Sequence, residues 1–432
     1  MSTNTRTIKV DFLTRVEGEG ALTIRFKGKE PKSVELRIFE PPRFFEGFLR
    51  GRSQLEAPDV TARICGICPV AYQMSACHAI EDAAGVELGP ELRALRRLLY
   101  CGEWIESHVL HMFMLHAPDF LGYPDAIHMA KDHGELVKAS LRMKKAGNAI
   151  VNVLGGREIH PINVCVGGFY RAPTVAELRA LHPELSWSKQ ALAAAMPTLA
   201  GLPFPDFERP VELVSLKHPD EYPFCEGRIV SSRGLDIDVH DYEAHFEEQH
   251  VAHSTALHSV RVGHGPYVVG PLARFNLCFT ELRPFAREVA ESLGLRPPLL
   301  NPFKTLLVRG VETLQALDEA IALIEAYQPP ARSRVPVPSR AGVGRAATEA
   351  PRGTLYHRYR VDAEGLIEEA KITPPTSQNQ KSIEDDLFSI ATRLAELPHE
   401  EATRLAEQTV RNYDPCISCS THFLRLRLEQ ED

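Results

Sequence analysis

Two pairs of cysteines with the same spacing lie near opposite ends of the chain. Cys65 and Cys68 are separated by two residues, and so are Cys416 and Cys419. A CxxC turn lets two thiolates converge on one metal ion, and two such turns supply a four-thiolate site that suits zinc, iron or nickel. The spacing predicts such a site but does not choose among these metals.

Two CxxC pairs can form either of two kinds of metal site. A structural zinc or iron site and a catalytic metal centre both fit two CxxC turns, and the spacing alone leaves both interpretations open. A redox-active CxxC would account for one pair but not for the other. The remaining five cysteines have no paired spacing and are predicted to be buried thiols: Cys77, Cys101, Cys165, Cys225 and Cys278.

The segments that must position these cysteines have a helical centre and extended ends. Strands are predicted at 8–12, 21–26 and 33–39. Long helices are predicted at 91–117, where Pro118 ends the helix, at 133–154 and at 311–327. A hairpin at 354–372 and two amphipathic helices then lead to the second cysteine pair. The pattern predicts an α+β fold that is mainly α, a large helical core with small β elements at the N- and C-terminal ends.

The composition indicates which classes of molecule the protein binds. The 432 residues are 44% hydrophobic and 25% charged, with a formal net charge of −8. A chain this acidic lacks the clustered lysines and arginines of a nucleic-acid surface. The N-terminal residues have no apolar stretch typical of a signal peptide, and no segment reaches the roughly 20 apolar residues of a membrane span. We therefore expect a cytoplasmic protein without a membrane span. We expect it to bind other proteins and small molecules and not to bind nucleic acid.

The residues around both cysteine pairs resemble a known family. The first pair lies in Arg63-Ile64-Cys65-Gly66-Ile67-Cys68, and the second in Asp414-Pro415-Cys416-Ile417-Ser418-Cys419, three residues before His422. Both are similar to the signatures of the large subunit of nickel–iron hydrogenases. Further phrases fall in the family's order: Arg15-Val16-Glu17-Gly18, Pro42-Arg43-Phe44-Phe45-Glu46, Ser107-His108, His160-Pro161, Gly167-Gly168, Glu349-Ala350-Pro351-Arg352-Gly353 and Pro375-Thr376-Ser377. The related subunit of respiratory complex I lacks the four cysteines.

The resemblance implies the nickel–iron hydrogenase large-subunit fold and reversible oxidation of H2. Residues 1–422 would form the catalytic domain, and residues 423–432 would be a C-terminal extension that a maturation protease removes once nickel is loaded. The short chain is most similar to the cytoplasmic, NAD(P)-linked bidirectional or sulfhydrogenase branch.

The resemblance also implies the roles of individual ligands. Cys65 and Cys416 would bind nickel terminally, and Cys68 and Cys419 would bridge nickel and iron, whose other ligands in this family are carbon monoxide and cyanide. Glu17 would take the proton released when H2 is split. The relay beyond Glu17 differs from that of many relatives, because this chain has Glu19 where they have histidine.

Other residues are implied around the iron. Arg352 would hydrogen-bond a cyanide, because a guanidinium offers fixed donors and keeps its charge. Asp119 and Asp414 would join Arg352 around the open metal position and orient the site. A second cyanide contact would come from three consecutive residues, Pro375, Thr376 and Ser377.

A second metal site is implied near the C-terminus. Glu46, the backbone carbonyl of Ile372 and His422 match a buried site for magnesium, or for iron in its place. Tyr72 departs from the family, since relatives usually have histidine there. Three histidines on one predicted helix are interpreted as core residues rather than ligands: His108, His111 and His116.

The partners follow from what the chain lacks. No cysteines remain with iron–sulfur spacing, so electrons must pass to an iron–sulfur small subunit. No G-x-G-x-x-G fingerprint is present, so flavin and NAD(P) would bind to further reductase subunits of a hetero-oligomer. The alternative is a non-enzymatic, zinc- or iron-stabilised interaction protein, which metal analysis would distinguish by the absence of nickel.

Overall fold

The computed structural model describes residues 5–40 and 44–421 of the chain. Long helices occupy the centre and small sheets surround them, so the predicted fold class, α+β and mainly α, is confirmed. The described strands are β1 (Thr5–Val10), β2 (Gly20–Lys27), β3 (Glu30–Ile38), β4 (Val164–Cys165), β5 (Gly168–Phe169), β6 (Glu212–Lys217), β7 (Arg228–Ser231), β8 (Asp236–Ile237), β9 (Phe246–Gln249), β10 (His258–Arg261), β11 (Tyr267–Val268), β12 (Gly342–Ala350), β13 (Gly353–Val361) and β14 (Ile367–Thr373).

The helices carry most of the core. The described α-helices are α1 (Phe45–Leu49), α2 (Ala57–Thr61), α3 (Pro69–Ala84), α4 (Pro90–Val109), α5 (Ala117–Leu121), α6 (Ala126–Met129), α7 (Gly134–Gly155), α8 (Val175–Arg179), α9 (His182–Ala200), α10 (Tyr242–His245), α11 (Pro271–Leu277), α12 (Pro284–Ser292), α13 (Thr305–Ala326), α14 (Pro375–Glu396), α15 (His399–Arg411) and α16 (Ile417–Ser420). In the centre, α4 packs against α7 and α13, and α13 packs against α9.

Two glycines allow α4 and α7 to cross closely. A Cβ on Gly147 would lie 2.8 Å from the carbonyl oxygen of Gly102, and a Cβ on Gly102 would lie 2.9 Å from the Cβ of Ile150. Any larger side chain would push the two backbones apart. The backbones of α4 and α7 are therefore in direct contact at this crossing because neither glycine has a side chain.

Two three-stranded antiparallel sheets pack on the helices beside the cysteine pairs. Strands β1, β2 and β3 form one sheet, which packs on α14 through β3. Strands β12, β13 and β14 form a second sheet, and α3 packs on β12 and β13. The predicted N-terminal strands and the predicted hairpin are confirmed, and this packing brings the N-terminal segment beside the C-terminal cysteines. A mixed sheet of order β11-β6-β7-β8 and two hairpins, β4-β5 and β9-β10, complete the described sheets.

The predicted end of the first long helix is wrong. Beyond α4 the chain continues as a π-helix over Leu110–His116 and then as α5, so Pro118 lies in a helical first turn instead of ending the helix. A proline is tolerated there because a first-turn N–H needs no intrahelical acceptor. The wider π turn is also a frequent feature beside functional sites.

The histidines of this region are buried core residues, as predicted. His108 lies 3.0 Å from Arg309 Nη1 through Nδ1 and 2.9 Å from Glu312 through Nε2, and His111 contacts the carbonyl oxygen of Arg411. Burial lowers the pKa of His108 to about 4, so its ring is neutral. Within the described residues, no helix is both long and apolar enough to cross a bilayer.

Candidate metal centre

The two cysteine pairs converge on one buried point. The Sγ atoms of Cys416 and Cys419 lie 2.8 Å apart, those of Cys65 and Cys416 lie 3.4 Å apart, and those of Cys68 and Cys419 lie 3.9 Å apart. All four sulfurs lie within 4.8 Å of one another, and all four residues are buried. Four sulfurs this close can share one or two metal ions.

The thiols do not lose their protons equally. Hydrogen bonds from neighbouring thiols, first that of Cys416, lower the pKa of Cys65 well below its ordinary value. Burial raises the pKa of Cys416 and Cys419 well above it. Four buried sulfurs repel one another's negative charge, so the set becomes fully anionic only with cations among them. The four cysteine sulfurs are therefore suited to binding soft or borderline metal cations.

Local structure orients the first pair. The backbone N–H groups of Ile67 and Cys68 point at the Cys65 sulfur, 3.3 and 3.4 Å away. Glu103 accepts hydrogen bonds from the backbone N–H groups of Val70 and Ala71, at 2.6 and 3.1 Å, and so holds the first turn of α3 directly after Cys68. The role of Glu103 could not be predicted from the sequence, because nothing in an α4 glutamate indicates that it binds the start of another helix.

Glu17 lies against the second pair. The thiol of Cys416 donates to Glu17 Oε2 at 3.2 Å, and the backbone N–H of Ser418 donates to the same oxygen at 3.0 Å. The backbones of Glu17 and Cys416 also form a parallel bridge, with the N–H of Ile417 donating to the carbonyl of Glu17 at 2.9 Å. The predicted proton acceptor is therefore half-buried and in contact with a predicted nickel ligand.

A further carboxylate lies on the outer side of this contact. Ser418 Oγ donates to Glu40 Oε2 at 3.1 Å, and Glu40 Oε1 accepts from the backbone N–H of Glu19 at 2.7 Å. Ser418 thus binds Glu17 through its N–H and Glu40 through its hydroxyl. Neither contact was predicted from the sequence, and the only signal for either residue is the position of Ser418 inside the second CxxC turn.

Arg352 is buried in the turn between β12 and β13. Its Nε donates to the carbonyl of Asp414 at 2.6 Å and its Nη2 to Asp414 Oδ1 at 3.1 Å. Its Nη1 is buried and has no hydrogen-bond partner in the described part of the chain. Burial acts to lower the pKa of Arg352, but the negative charge on Asp414 and the cysteines raises it well above its ordinary value, so the side chain stays charged.

A buried network holds the Arg352 turn. Arg274 donates to both oxygens of Glu312 at 2.7 and 2.8 Å, to Glu349 at 2.8 Å, and to the carbonyl of Pro351 at 3.0 Å. Removing one partner from such a cluster would leave an uncompensated buried charge. The network therefore fixes the backbone that carries Arg352.

Asp119 and Asp414 occupy different places. Asp414 contacts Arg352 directly and has a φ of 51°, a strained conformation for a residue with a side chain. Asp119 lies one step away, where its oxygens accept from Arg411 at 2.7 and 2.8 Å and from Arg15 at 2.5 Å. It ties the segment before Glu17 to the helix that precedes the second cysteine pair.

Pro375, Thr376 and Ser377 form the first turn of α14 beneath Cys416. Thr376 Oγ1 accepts from the backbone N–H of Cys416 at 3.0 Å. Ser377 Oγ is buried and has no hydrogen-bond partner among the described residues. Thr376 therefore contacts the second cysteine pair directly, and the adjacent Ser377 has an unused hydroxyl; the predicted cyanide contact of Pro375, Thr376 and Ser377 stays a prediction.

The residues of the second expected metal site are partly described. The backbone N–H of Ile372 donates to Glu46 Oε1 at 2.8 Å, so these two residues are adjacent. His422 and the extension 423–432 lie outside the described residues. Tyr72 is buried beside the thiols, and burial, followed by the charge on Cys419, raises the pKa of its hydroxyl well above its ordinary value.

Known proteins are similar to this chain over almost its whole length. The family model described as nickel-dependent hydrogenase matches residues 43–140 and 303–422. The alpha subunit of sulfhydrogenase 2 from Pyrococcus furiosus is 36% identical to this chain over 422 residues, which are 97% of this chain and 100% of that protein. The beta subunit of the NAD-reducing hydrogenase HoxS from Cupriavidus necator is 27% identical over 97% of this chain and 95% of that protein.

A solved structure has the same fold. The crystal structure of an NAD+-reducing NiFe hydrogenase in the H2-reduced state matches with a TM-score of 0.89 and 27% sequence identity. The match covers 96% of this chain and 99% of that chain.

Proposed function

Because the chain belongs to the nickel-dependent hydrogenase family, as a large catalytic subunit, we propose that its four converging cysteines bind a nickel–iron centre for reversible oxidation of H2. One observation carries the proposal. A half-buried carboxylate, Glu17, lies 3.2 Å from a thiol of a buried four-cysteine cluster. A structural zinc site needs four sulfurs but no acid beside them, so the non-enzymatic alternative leaves Glu17 unexplained.

The ligand roles in the proposal follow the family. Cys65 and Cys416 would bind nickel terminally, and Cys68 and Cys419 would bridge nickel and iron. When bound, the two metals would supply the redox chemistry that separates H2 into two protons and two electrons. The thiols are suited to this task because soft sulfur ligands bind such metals strongly.

Two unused donors suit small ligands on the iron. Arg352 Nη1 and Ser377 Oγ are both buried and lack partners in the described residues. A buried donor without an acceptor is costly, and a cyanide nitrogen beside each would remove that cost. We assign to Arg352, Ser377 and their neighbours Pro375 and Thr376 the binding of carbon monoxide and cyanide ligands, with Asp414 orienting Arg352.

The proton would leave by way of carboxylates. The Cys416 thiol already donates towards Glu17 Oε2, which is the hydrogen bond that a proton transfer requires. Ser418 joins the Glu17 side of the site to Glu40, and Glu40 binds the backbone of the exposed Glu19. We therefore propose that Glu40 receives the proton from Glu17 in place of the histidine that many relatives have at position 19, and that Ser418, which donates to both carboxylates, is the positioning residue.

The electrons would leave through partner subunits. The proposal includes an iron–sulfur small subunit, flavin and NAD(P) reductase subunits, and a cytoplasmic location, and it is supported by the names of the sulfhydrogenase and NAD-reducing relatives. Residues 1–422 would be the catalytic domain. Glu46, the Ile372 carbonyl and His422 would bind magnesium or iron after a protease removes residues 423–432.

The test is H2-dependent reduction of a viologen dye and of NAD or NADP by the purified complex. Dye reduction is expected with every preparation that contains nickel, and nucleotide reduction is expected only with the flavin subunit present. Nickel-loaded complex that reduces neither would contradict the proposed catalysis. Dye reduction without nucleotide reduction by the full complex would contradict only the NAD(P) linkage.

A further inference from the structure

A second cluster of metal-ligating side chains lies outside the cysteine site. His253 is in the connection between β9 and β10, His258 is the first residue of β10, and Glu384 is in the middle of α14. Each offers one ligand atom, and the three atoms lie within 4.8 Å of one another. Among the described residues, this group and the four cysteines are the two that could hold a metal ion in this way.

The hydrogen bonds of the cluster leave one ligand unused. His253 Nε2 lies 2.7 Å from Glu384 Oε1, which also accepts from the backbone N–H of Leu36 at 3.0 Å. His258 is only 3% exposed, yet its Nε2 has no hydrogen-bond partner in the described part of the chain. A buried imidazole nitrogen without a partner is costly, and one nitrogen of this ring lies within 4.8 Å of the ligand atoms of His253 and Glu384.

We propose that His253, His258 and Glu384 bind a Zn²⁺ ion, separate from the nickel–iron centre. Two imidazoles and one carboxylate are a ligand set that zinc accepts, with a fourth position for water. The side chain of His253 is about a quarter exposed, so water can reach the cluster. Hard cations such as Mg²⁺ prefer all-oxygen sites and do not suit two imidazoles.

Coordination would change the separations of the ligand atoms, which now lie within 4.8 Å of one another. Ligand atoms about 2.0–2.1 Å from a tetrahedral zinc ion lie roughly 3.3 Å apart. The contact between His253 and Glu384 would therefore lengthen by about half an ångström as the hydrogen bond is replaced by coordination. Burial lowers the pKa of His258 to about 4, so its ring is already in the neutral form that binds metals.

The ion would fasten the connection before β10 to the rest of the molecule. Glu384 reaches β3 through Leu36, and Thr255 donates to the carbonyls of Ile38 and Glu40, at 2.8 Å through its N–H and 2.9 Å through its hydroxyl. Ala256 forms a bridge with Thr421, two residues after Cys419. Zinc would thus brace the segment on which the described C-terminus lies.

The test is zinc content and binding in the purified complex, measured by mass spectrometry of metals and by titration with Zn²⁺ after removal of loosely bound metal. One Zn²⁺ per chain is expected. His253→Gln keeps a donor for Glu384 but loses the imidazole, and Glu384→Gln loses the carboxylate charge. Each should weaken zinc binding by more than about 100-fold. Loss of a residue that only hydrogen-bonds a metal ligand already lowers metal affinity by ~10–100-fold.

The control variant is His264→Ala, which removes an exposed histidine in the turn after β10 and should leave zinc binding unchanged. Unchanged nickel content in all three variants would show that they fold. A wild-type complex that retains no zinc would overturn the proposal. So would zinc binding that remains undiminished in His253→Gln and Glu384→Gln.

Discussion

The Glu17 carboxylate lies 3.2 Å from the Cys416 sulfur, although 399 residues separate them along the chain. Gly18 makes this approach possible. Its φ is 85°, and a Cβ at this position would lie 2.6 Å from Glu40 Oε1 and 2.8 Å from the Cβ of Ile417. The glycine of the Arg15-Val16-Glu17-Gly18 phrase therefore allows a carboxylate to reach the metal ligands.

Replacing Glu17 with Gln should stop proton transfer without disturbing the metals. Glutamine keeps the shape and the contact with the Ser418 N–H but cannot take a proton, and loss of a positioned acid or base typically costs ~10²–10⁴-fold in turnover. H2 oxidation and nickel content would be measured on the same samples. Glu364→Gln, at an exposed residue of the turn between β13 and β14, is the control. Turnover near that of the control would refute the role of Glu17.

Replacing Arg352 with Lys should lower turnover by roughly 10–100-fold, because a lysine keeps the charge but cannot replace the three directed donors, and hydrogen bonds to charged groups contribute about 1.5–3 kcal/mol each. The infrared bands of the iron-bound carbon monoxide and cyanide should shift. Arg360→Lys, at an exposed residue of β13, should change neither. Infrared bands identical to wild type would show that Arg352 does not contact these ligands.

The convergence of the four cysteines could be predicted from the sequence, because each CxxC pair is a short motif whose spacing suits a shared metal site. Glu103, Glu40 and the contacts of Arg274 could not be predicted, since each acts on a segment distant in sequence. Helix α3 was missed because it is buried almost all round and shows no amphipathic stripe. Strand β12 was missed because its residues, rich in glycine and alanine, are held as a strand by β13 and α3.

His357 should make the protein sensitive to acid. Burial alone lowers its pKa to about 3, whereas an unfolded chain has a histidine pKa near 6.5, so the unfolded state takes up protons first. Stability is then complete above about pH 6.5 and is lost as the pH falls from 6.5 towards 3, by about 2 kcal/mol at pH 5.

His357→Gln tests this directly. The variant should lose less stability than wild type between pH 7.5 and pH 5, measured by denaturant unfolding at both values. The exposed-site variant His128→Gln is the control, and it should follow wild type. A variant whose loss equals that of wild type would show that the His357 ring is not held neutral.

The ten residues 423–432 are expected to be absent from active protein. Their removal would let His422 reach Glu46 and Ile372 and would couple metal loading to the final folding step. Intact-mass measurement of nickel-loaded chain should give a mass that ends at His422. Full activity in a chain that still ends at Asp432 would contradict the expectation.

The most direct test of the central claim is the nickel content of the purified chain and of its Cys416→Ser and Cys419→Ser variants. We expect one nickel per wild-type chain and H2-dependent dye reduction. Both should be lost in each variant, because a serine oxygen is a poor substitute for a soft thiolate. Cys77→Ser, at a buried cysteine outside the cluster, should retain nickel. Wild-type protein without nickel, whose zinc disappears in Cys416→Ser, would show a structural zinc site and contradict the account.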